Sequence, residues 1–155
     1  SRKPSAMNLN DVLDNCVRII NRQKNGKQID MDVALDPSIP TLIADSGGLQ
    51  QAFLNVLINS VEAIQTSGTI RVCSRRLPRT AQVSIQDTGC GIAPEDQSAV
   101  FDRYFHTTAD KKHDSTGLGL TIAQELAHLH HGEITLQSEV GKGSIFTLRL
   151  PLLTD

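Results

Sequence analysis

Asp87-Thr88-Gly89-Cys90-Gly91 opens, and Ser115-Thr116-Gly117-Leu118-Gly119 closes, the stretch that decides how this chain is read. Two glycine-rich turns bracket a polar segment, and the second leads into an amphipathic helix with Leu118, Ile122, Leu126 and Leu129 on one stripe. Glycines let a backbone approach a phosphate with no Cβ in the way, and the free N–H groups of a helix start attract anions. The pattern points to a nucleotide site. A G-x-G fragment alone is weak evidence, so the case rests on its surroundings.

Just upstream, Val83, Ile85 and Asp87 fall on one face of a strand, because alternate residues point the same way. If Val83 and Ile85 face the core, Asp87 ends the same row as a carboxylate that is costly to bury without a donor. The exocyclic amine of an adenine is a suitable donor; an Asx cap on the Thr88-Gly89 turn is the competing structural role. Ile70-Arg71-Val72-Cys73 reads as the neighbouring strand, joined through Leu77-Pro78-Arg79.

Further upstream, the spacing predicts a helix from Leu49 to about Gln65, with Leu49, Phe53, Val56, Leu57 and Ile64 on its core face. Asn55, Asn59 and Glu62 stand beside that stripe at i, i+4 and i+7 and point towards one location. Such side chains are ordinarily a solvated flank. Beside two glycine turns, an amide oxygen fixed on a helix becomes a candidate ligand for magnesium, which prefers hard oxygens and keeps several waters.

Elsewhere, residues 1–7 read as a linker, 8–151 as one domain and 152–155 as a tail. Asn8 or Asn10 is a candidate cap for a first helix carrying Leu9, Val12, Leu13, Cys16, Ile19 and Ile20, which Asn25-Gly26 ends. Ile29 to Val33 alternates as a strand, Asp36 to Pro40 is a turn before the apolar Leu42-Ile43-Ala44, and Asp45 to Gly48 reads as a loop. His128, His130 and His131 close the third helix, where they suit its dipole better than a metal.

The 155 residues amount to about one domain, able to bury roughly two-thirds of the unfolded surface. A net charge of −2, with no basic run longer than Arg75-Arg76 or Lys111-Lys112, disfavours nucleic acid or an anionic membrane as partner. Cys16, Cys73 and Cys90 stand far apart with no C-x-x-C pair, as suits reduced thiols in a cytoplasmic setting. No apolar run approaches the roughly 20 residues of a membrane span. The parent protein can nonetheless be membrane-anchored.

Four segments in order carry a resemblance: Asn55 to Ala63, Asp87 to Ile92, Phe101 to Thr108, and Thr116-Gly117-Leu118-Gly119-Leu120. They resemble the four boxes of a sensor histidine kinase ATP-binding domain, within the gyrase, chaperone and histidine kinase ATPase superfamily. His131-Gly132-Glu133-Ile134 and Ser138 to Ser144 resemble its closing strands, so the likeness spans about residues 5–151. It implies an α/β two-layer sandwich of the Bergerat type, a mixed, mostly antiparallel sheet covered on one face by about three helices. It also implies ATP and Mg2+ as cofactors. By resemblance, Asn59 holds the metal and Asn55 assists at the phosphates, while Asp87 takes the adenine amine with Gly89, Gly91 and Ile92 beside the ring. Phe101, Phe105 and Thr107 belong to a lid; Thr116, Gly117, Leu118, Gly119 and Leu120 form the phosphate turn; Ser144 is a water-mediated adenine contact.

Departures from the family pattern bear on the lid. Glu62 stands where many relatives carry a lysine, leaving Arg103, Lys111 and Lys112 as the cations for the phosphates. Ser115 replaces the first glycine of G-x-G-x-G, and Thr107-Thr108 is followed by Ala109 instead of lysine. No histidine followed by an acidic residue opens a long helix, so the acceptor histidine is expected on a separate helical dimerisation domain, with a response regulator downstream. Two alternatives stand beside this expectation. An ATPase of the same fold would need a glutamate base at position 55, where an asparagine cannot take a proton from water. A nucleotide-sensing interaction module would tolerate the altered lid.

Overall fold

A computed structural model describes residues 3–102 and 119–152. In chain order the elements are β1 (Ser5–Met7), α1 (Leu9–Asn21), β2 (Gln28–Ala34), β3 (Leu42–Ala44), α2 (Ser46–Ala63), β4 (Ser67–Arg76), β5 (Thr80–Asp87), α3 (Pro94–Gln97), α4 (Gly119–Leu129), β6 (Glu133–Glu139) and β7 (Gly143–Pro151). Five strands form one sheet in the order β2-β4-β5-β7-β6, and β1 pairs with β3 in a two-stranded ribbon. Among the described residues only the β2–β4 pair is parallel. Parallel neighbours need a long crossover, and here it contains α2.

This is the expected two-layer α/β sandwich. Alternate residues of β5 and β7 turn inward, Ala81, Val83 and Ile85 beside Phe146, Leu148 and Leu150, and all are buried. Helices α1, α2 and α4 close over them with Leu9, Leu13, Phe53, Leu57, Ala123 and Leu126. These buried side chains form one core between helices and sheet, where their removal from water stabilises the fold. Among the described residues no helix is long and apolar enough to cross a membrane.

Several local readings change. Residues 5–7, expected in a linker, form β1, because Ser5, Ala6 and Met7 find partners in Ala44, Ile43 and Leu42. Asn8 supplies the cap of α1, its side chain accepting from the N–H groups of Asn10 and Asp11. The Asp45 to Gly48 loop is instead the start of α2: Asp45 caps it by accepting from the Gly48 N–H at 3.1 Å. In α4 the buried face is Thr121, Ala123, Leu126 and Ala127, while Leu129, expected on the core stripe, is exposed. The helix ends there in a Schellman turn, with His131 at φ 60° and the Gly132 N–H bonded to the Ala127 carbonyl.

Candidate nucleotide-binding site

Asp87 ends β5 in the row that sequence alternation predicts, and it is 1% exposed. Its two carboxylate oxygens have different fates. Oδ1 accepts from the Gly89 N–H at 2.9 Å and from the Ser144 N–H at 3.3 Å. Oδ2 is buried with no hydrogen-bond partner among the described residues. The Asx contact to Gly89 and the adenine role are therefore compatible, one oxygen serving each.

Burial pushes the Asp87 carboxyl above its ordinary 3.8, against the opposing pull of the Gly89 and Ser144 N–H groups and the Ser60 hydroxyl. Among the described residues Oδ2 is left without a hydrogen-bond partner. A buried acceptor without a partner is what a ligand with an N–H donor completes. The adenine amine fits that requirement.

The loop after Asp87 is held by packing on both sides. A Cβ at Gly89 would stand 2.6 Å from the Ala63 carbonyl oxygen, and one at Gly91, at φ +75°, would stand 2.1 Å from that of Glu139. The space opened by these glycines is thus filled by protein backbone at the end of α2 and the end of β6, so they fix the loop's path beside the site. Gly143, at φ +126°, plays the same part for β7, its Cβ position lying 2.0 Å from the Asp87 carbonyl oxygen. The Cys90 N–H bonds the Ala63 carbonyl, and the Gly141 N–H bonds the Cys90 carbonyl. The Ile92 N–H bonds Ser138 Oγ at 2.8 Å.

On α2, Asn55 is buried and Asn59 half-buried. Gln51 Nε2 donates to Asn55 Oδ1 at 2.8 Å, and Asn55 Nδ2 donates to the Gly119 carbonyl at 3.0 Å. Asn55 therefore ties the start of α4 to α2. Thr121 Oγ1 donates to the Phe101 carbonyl at 2.8 Å, and the Phe101 ring meets Phe146 edge-on at 6.3 Å. The far end of α4 is held by His130, whose Nε2 accepts from the Asp45 N–H at 3.2 Å while Nδ1 lies 2.8 Å from the Leu126 carbonyl. His130 thus joins α4 to the α2 cap as well as meeting its own helix end.

Asn55 and Asn59 lie on α2, Asp87 ends β5 with Gly89, Gly91 and Ile92 in the segment after it, and Gly119 and Leu120 start α4; hydrogen bonds join Asn55 to Gly119 and Asp87 to Gly89. Ser144 is buried at the same end, its hydroxyl 2.8 Å from that of Ser138. Arg103, Phe105, Thr107, Lys111, Lys112, Thr116, Gly117 and Leu118 lie outside the described residues. Sequence reasoning passed over Gln51, Ser60, Ser138 and Gly143. Only Gly143 had a signal, the Gly141-Lys142-Gly143 turn before Ser144.

A buried carboxylate with one unpartnered oxygen, on a strand that leads into a glycine-rich loop, suits a nucleotide-binding domain. The model of the histidine kinase-, DNA gyrase B- and HSP90-like ATPases matches residues 44–154, and the chain belongs to that family. It is a catalytic ATP-binding domain of the sensor histidine kinase type. The sensor histidine kinase ZraS of Escherichia coli is 33% identical over 147 residues, covering 95% of this chain and 31% of ZraS. The signal transduction histidine-protein kinase AtoS of Escherichia coli is 35% identical over 147 residues, covering 94% of this chain and 24% of AtoS. The chain thus spans about a third or less of these relatives. Among solved structures, the mycobacterial sensor histidine kinase MprB superposes with a TM-score of 0.84 at 27% identity, covering 96% of this chain and 97% of that one. Full-length ShkA in complex with AMPPNP gives 0.87 at 25% identity, covering 100% of this chain and 32% of that one.

Proposed function

We propose that this domain works in the cytoplasm, holds MgATP and presents its γ-phosphoryl group to a histidine on a helical dimerisation domain of the same parent, from which a downstream response regulator receives it. The observation that carries the adenine end is Asp87, whose Oδ1 is committed to the fold and whose buried Oδ2 awaits a donor. Asn59, half-buried one turn beyond Asn55, is the residue to hold magnesium through its amide oxygen. Asn55 keeps the α4 start in place, so that the backbone around Gly119 can meet the phosphates.

The metal supplies charge neutralisation at the triphosphate; the chain positions the nucleotide, which is most of what phosphoryl transfer asks of a protein. Arg103, Lys111 and Lys112 are the proposed phosphate cations, Phe105 and Thr107 the lid, and Thr116, Gly117 and Leu118 the turn before Gly119. Asn55 speaks against the ATPase alternative: its amide is not a base, and both its polar atoms are engaged. Calorimetric titration of the chain with ATP, with and without Mg2+, tests the proposal. Tight, magnesium-strengthened binding is expected, and no binding in either condition would refute it.

A further inference from the structure

The amide of Asn55, buried on α2, has one orientation in which both of its hydrogen bonds form. The Gly119 carbonyl can only accept, so the group 3.0 Å from it is the Asn55 NH2. That leaves Asn55 Oδ1 turned towards residue 51, where Gln51 meets it with its own NH2 at 2.8 Å. Turned over, Asn55 would set its oxygen against the Gly119 oxygen, and that bond would be lost with nothing in exchange.

Two amides one turn apart on a helix ordinarily stabilise only that helix, and weakly. Here the pair does not end on α2. It runs on to α4, 64 residues along the chain, where a Cβ added at Gly119 would stand 3.9 Å from Asn55 Cβ. Carbonyls along a helix point towards its C-terminus and N–H groups towards its N-terminus, so holding the carbonyl of the first residue also aims the N–H groups of the first turn. Those are the groups that face an anion.

We propose that Gln51 is a positioning residue for the triphosphate. It keeps the Asn55 amide in the orientation that pins the Gly119 carbonyl, and with it the start of α4. Gln51 itself is exposed and acts through Asn55. This rests on the nucleotide-binding reading above and adds to it a residue that precedes the Asn55 to Ala63 segment.

Gln51→Met tests this, because it keeps the side chain's length and removes the donor at an exposed position. Its nucleotide-free melting temperature should be nearly unchanged. MgATP affinity by calorimetry should fall about three- to tenfold, the worth of one hydrogen bond, while adenosine, which has no phosphate to meet α4, should bind as before. Proton exchange at the Asn55 side-chain amide, followed by NMR without nucleotide, reads the orientation itself. Gln51→Glu can only accept and draws the Asn55 NH2 away from Gly119, so exchange should quicken; Gln51→Lys can only donate and should keep the native rate. Native exchange in Gln51→Glu would overturn the proposal. So would equal losses for MgATP and adenosine with a lowered melting temperature, which would make Gln51 a structural residue. A native chain that binds MgATP and a Gln51→Met variant that binds it equally well would sink the positioning role alone. A native chain that binds no MgATP would refute the nucleotide reading and this role with it.

Discussion

Asp87→Asn should move stability and binding in opposite directions. The new side chain keeps an oxygen for the Gly89 and Ser144 N–H groups, so the Oδ1 anchor survives. Burial holds the native carboxyl above 3.8, so this group's contribution to stability is fully present below 3.8 and is lost as pH rises through the raised value. At neutral pH the ionised carboxylate is a net cost, and the Asp87→Asn variant should be at least as stable as the native protein.

A gain of 1 kcal/mol would raise Tm by about 2–4 °C for a chain of this size. For ATP the same change replaces an acceptor with a donor that faces the adenine amine. Losing that charge-assisted hydrogen bond costs about 1–3 kcal/mol, or about 5- to 150-fold in Kd. Thermal melts without nucleotide and calorimetry with MgATP read the two effects separately. For the native protein, ATP affinity should weaken on acidification at a pH above the ordinary carboxylate range, as the acceptor takes up a proton. Unchanged ATP affinity in the folded variant would remove Asp87 from the site. A fall in Tm would make it chiefly a structural anchor.

Asn59→Ala should weaken MgATP binding by at least about tenfold while leaving adenosine binding nearly intact; equal losses in calorimetry would mean that Asn59 only supports the fold. Gly143→Ala should lower stability by about 2 kcal/mol or more, because it strains a residue at φ +126° and drives a Cβ against the Asp87 carbonyl. Urea unfolding checks it, and an unchanged midpoint would show that the β6–β7 turn relaxes freely. Cys16, fully buried and with its thiol pushed up to about 12 by desolvation, should resist alkylation in the native protein. Labelling of Cys16 as fast as of the part-exposed Cys73 would indicate that α1 opens readily.

The parts of this fold that follow a period were legible in the sequence. Val83, Ile85 and Asp87 alternate, and the structure buries all three; Leu49, Phe53, Val56 and Leu57 recur at helical spacing, and α2 buries them all. What escaped depends on partners far along the chain. Residues 5–7 form a strand only because Leu42–Ala44 lies alongside, and three residues carry no period of their own. The Gly47-Gly48 pair reads as a loop until Asp45 is seen to cap α2 and His130, 85 residues away, to hold the cap's own N–H.

The site divides along the same line. Asp87 is visible as a carboxylate on a core row, and Asn55 and Asn59 as amides one turn apart. The bond from Asn55 to Gly119 spans 64 residues and leaves no local pattern. Serine at positions 60 and 138 is equally at home on a surface or in a core.

Phosphotransfer from the chain to a supplied partner tests the central claim most directly. With radiolabelled ATP and Mg2+, the isolated domain should bind nucleotide, hydrolyse it slowly and acquire no label, because Asn55 provides no base and the acceptor lies elsewhere. Adding the histidine-bearing helical domain of the same parent should produce a labelled species that is acid-labile and base-stable, and Asn59→Ala in the catalytic domain should abolish it. Brisk steady-state hydrolysis by the domain alone, lost in Asn59→Ala, with no transfer to the helical domain, would contradict the account and identify an ATPase.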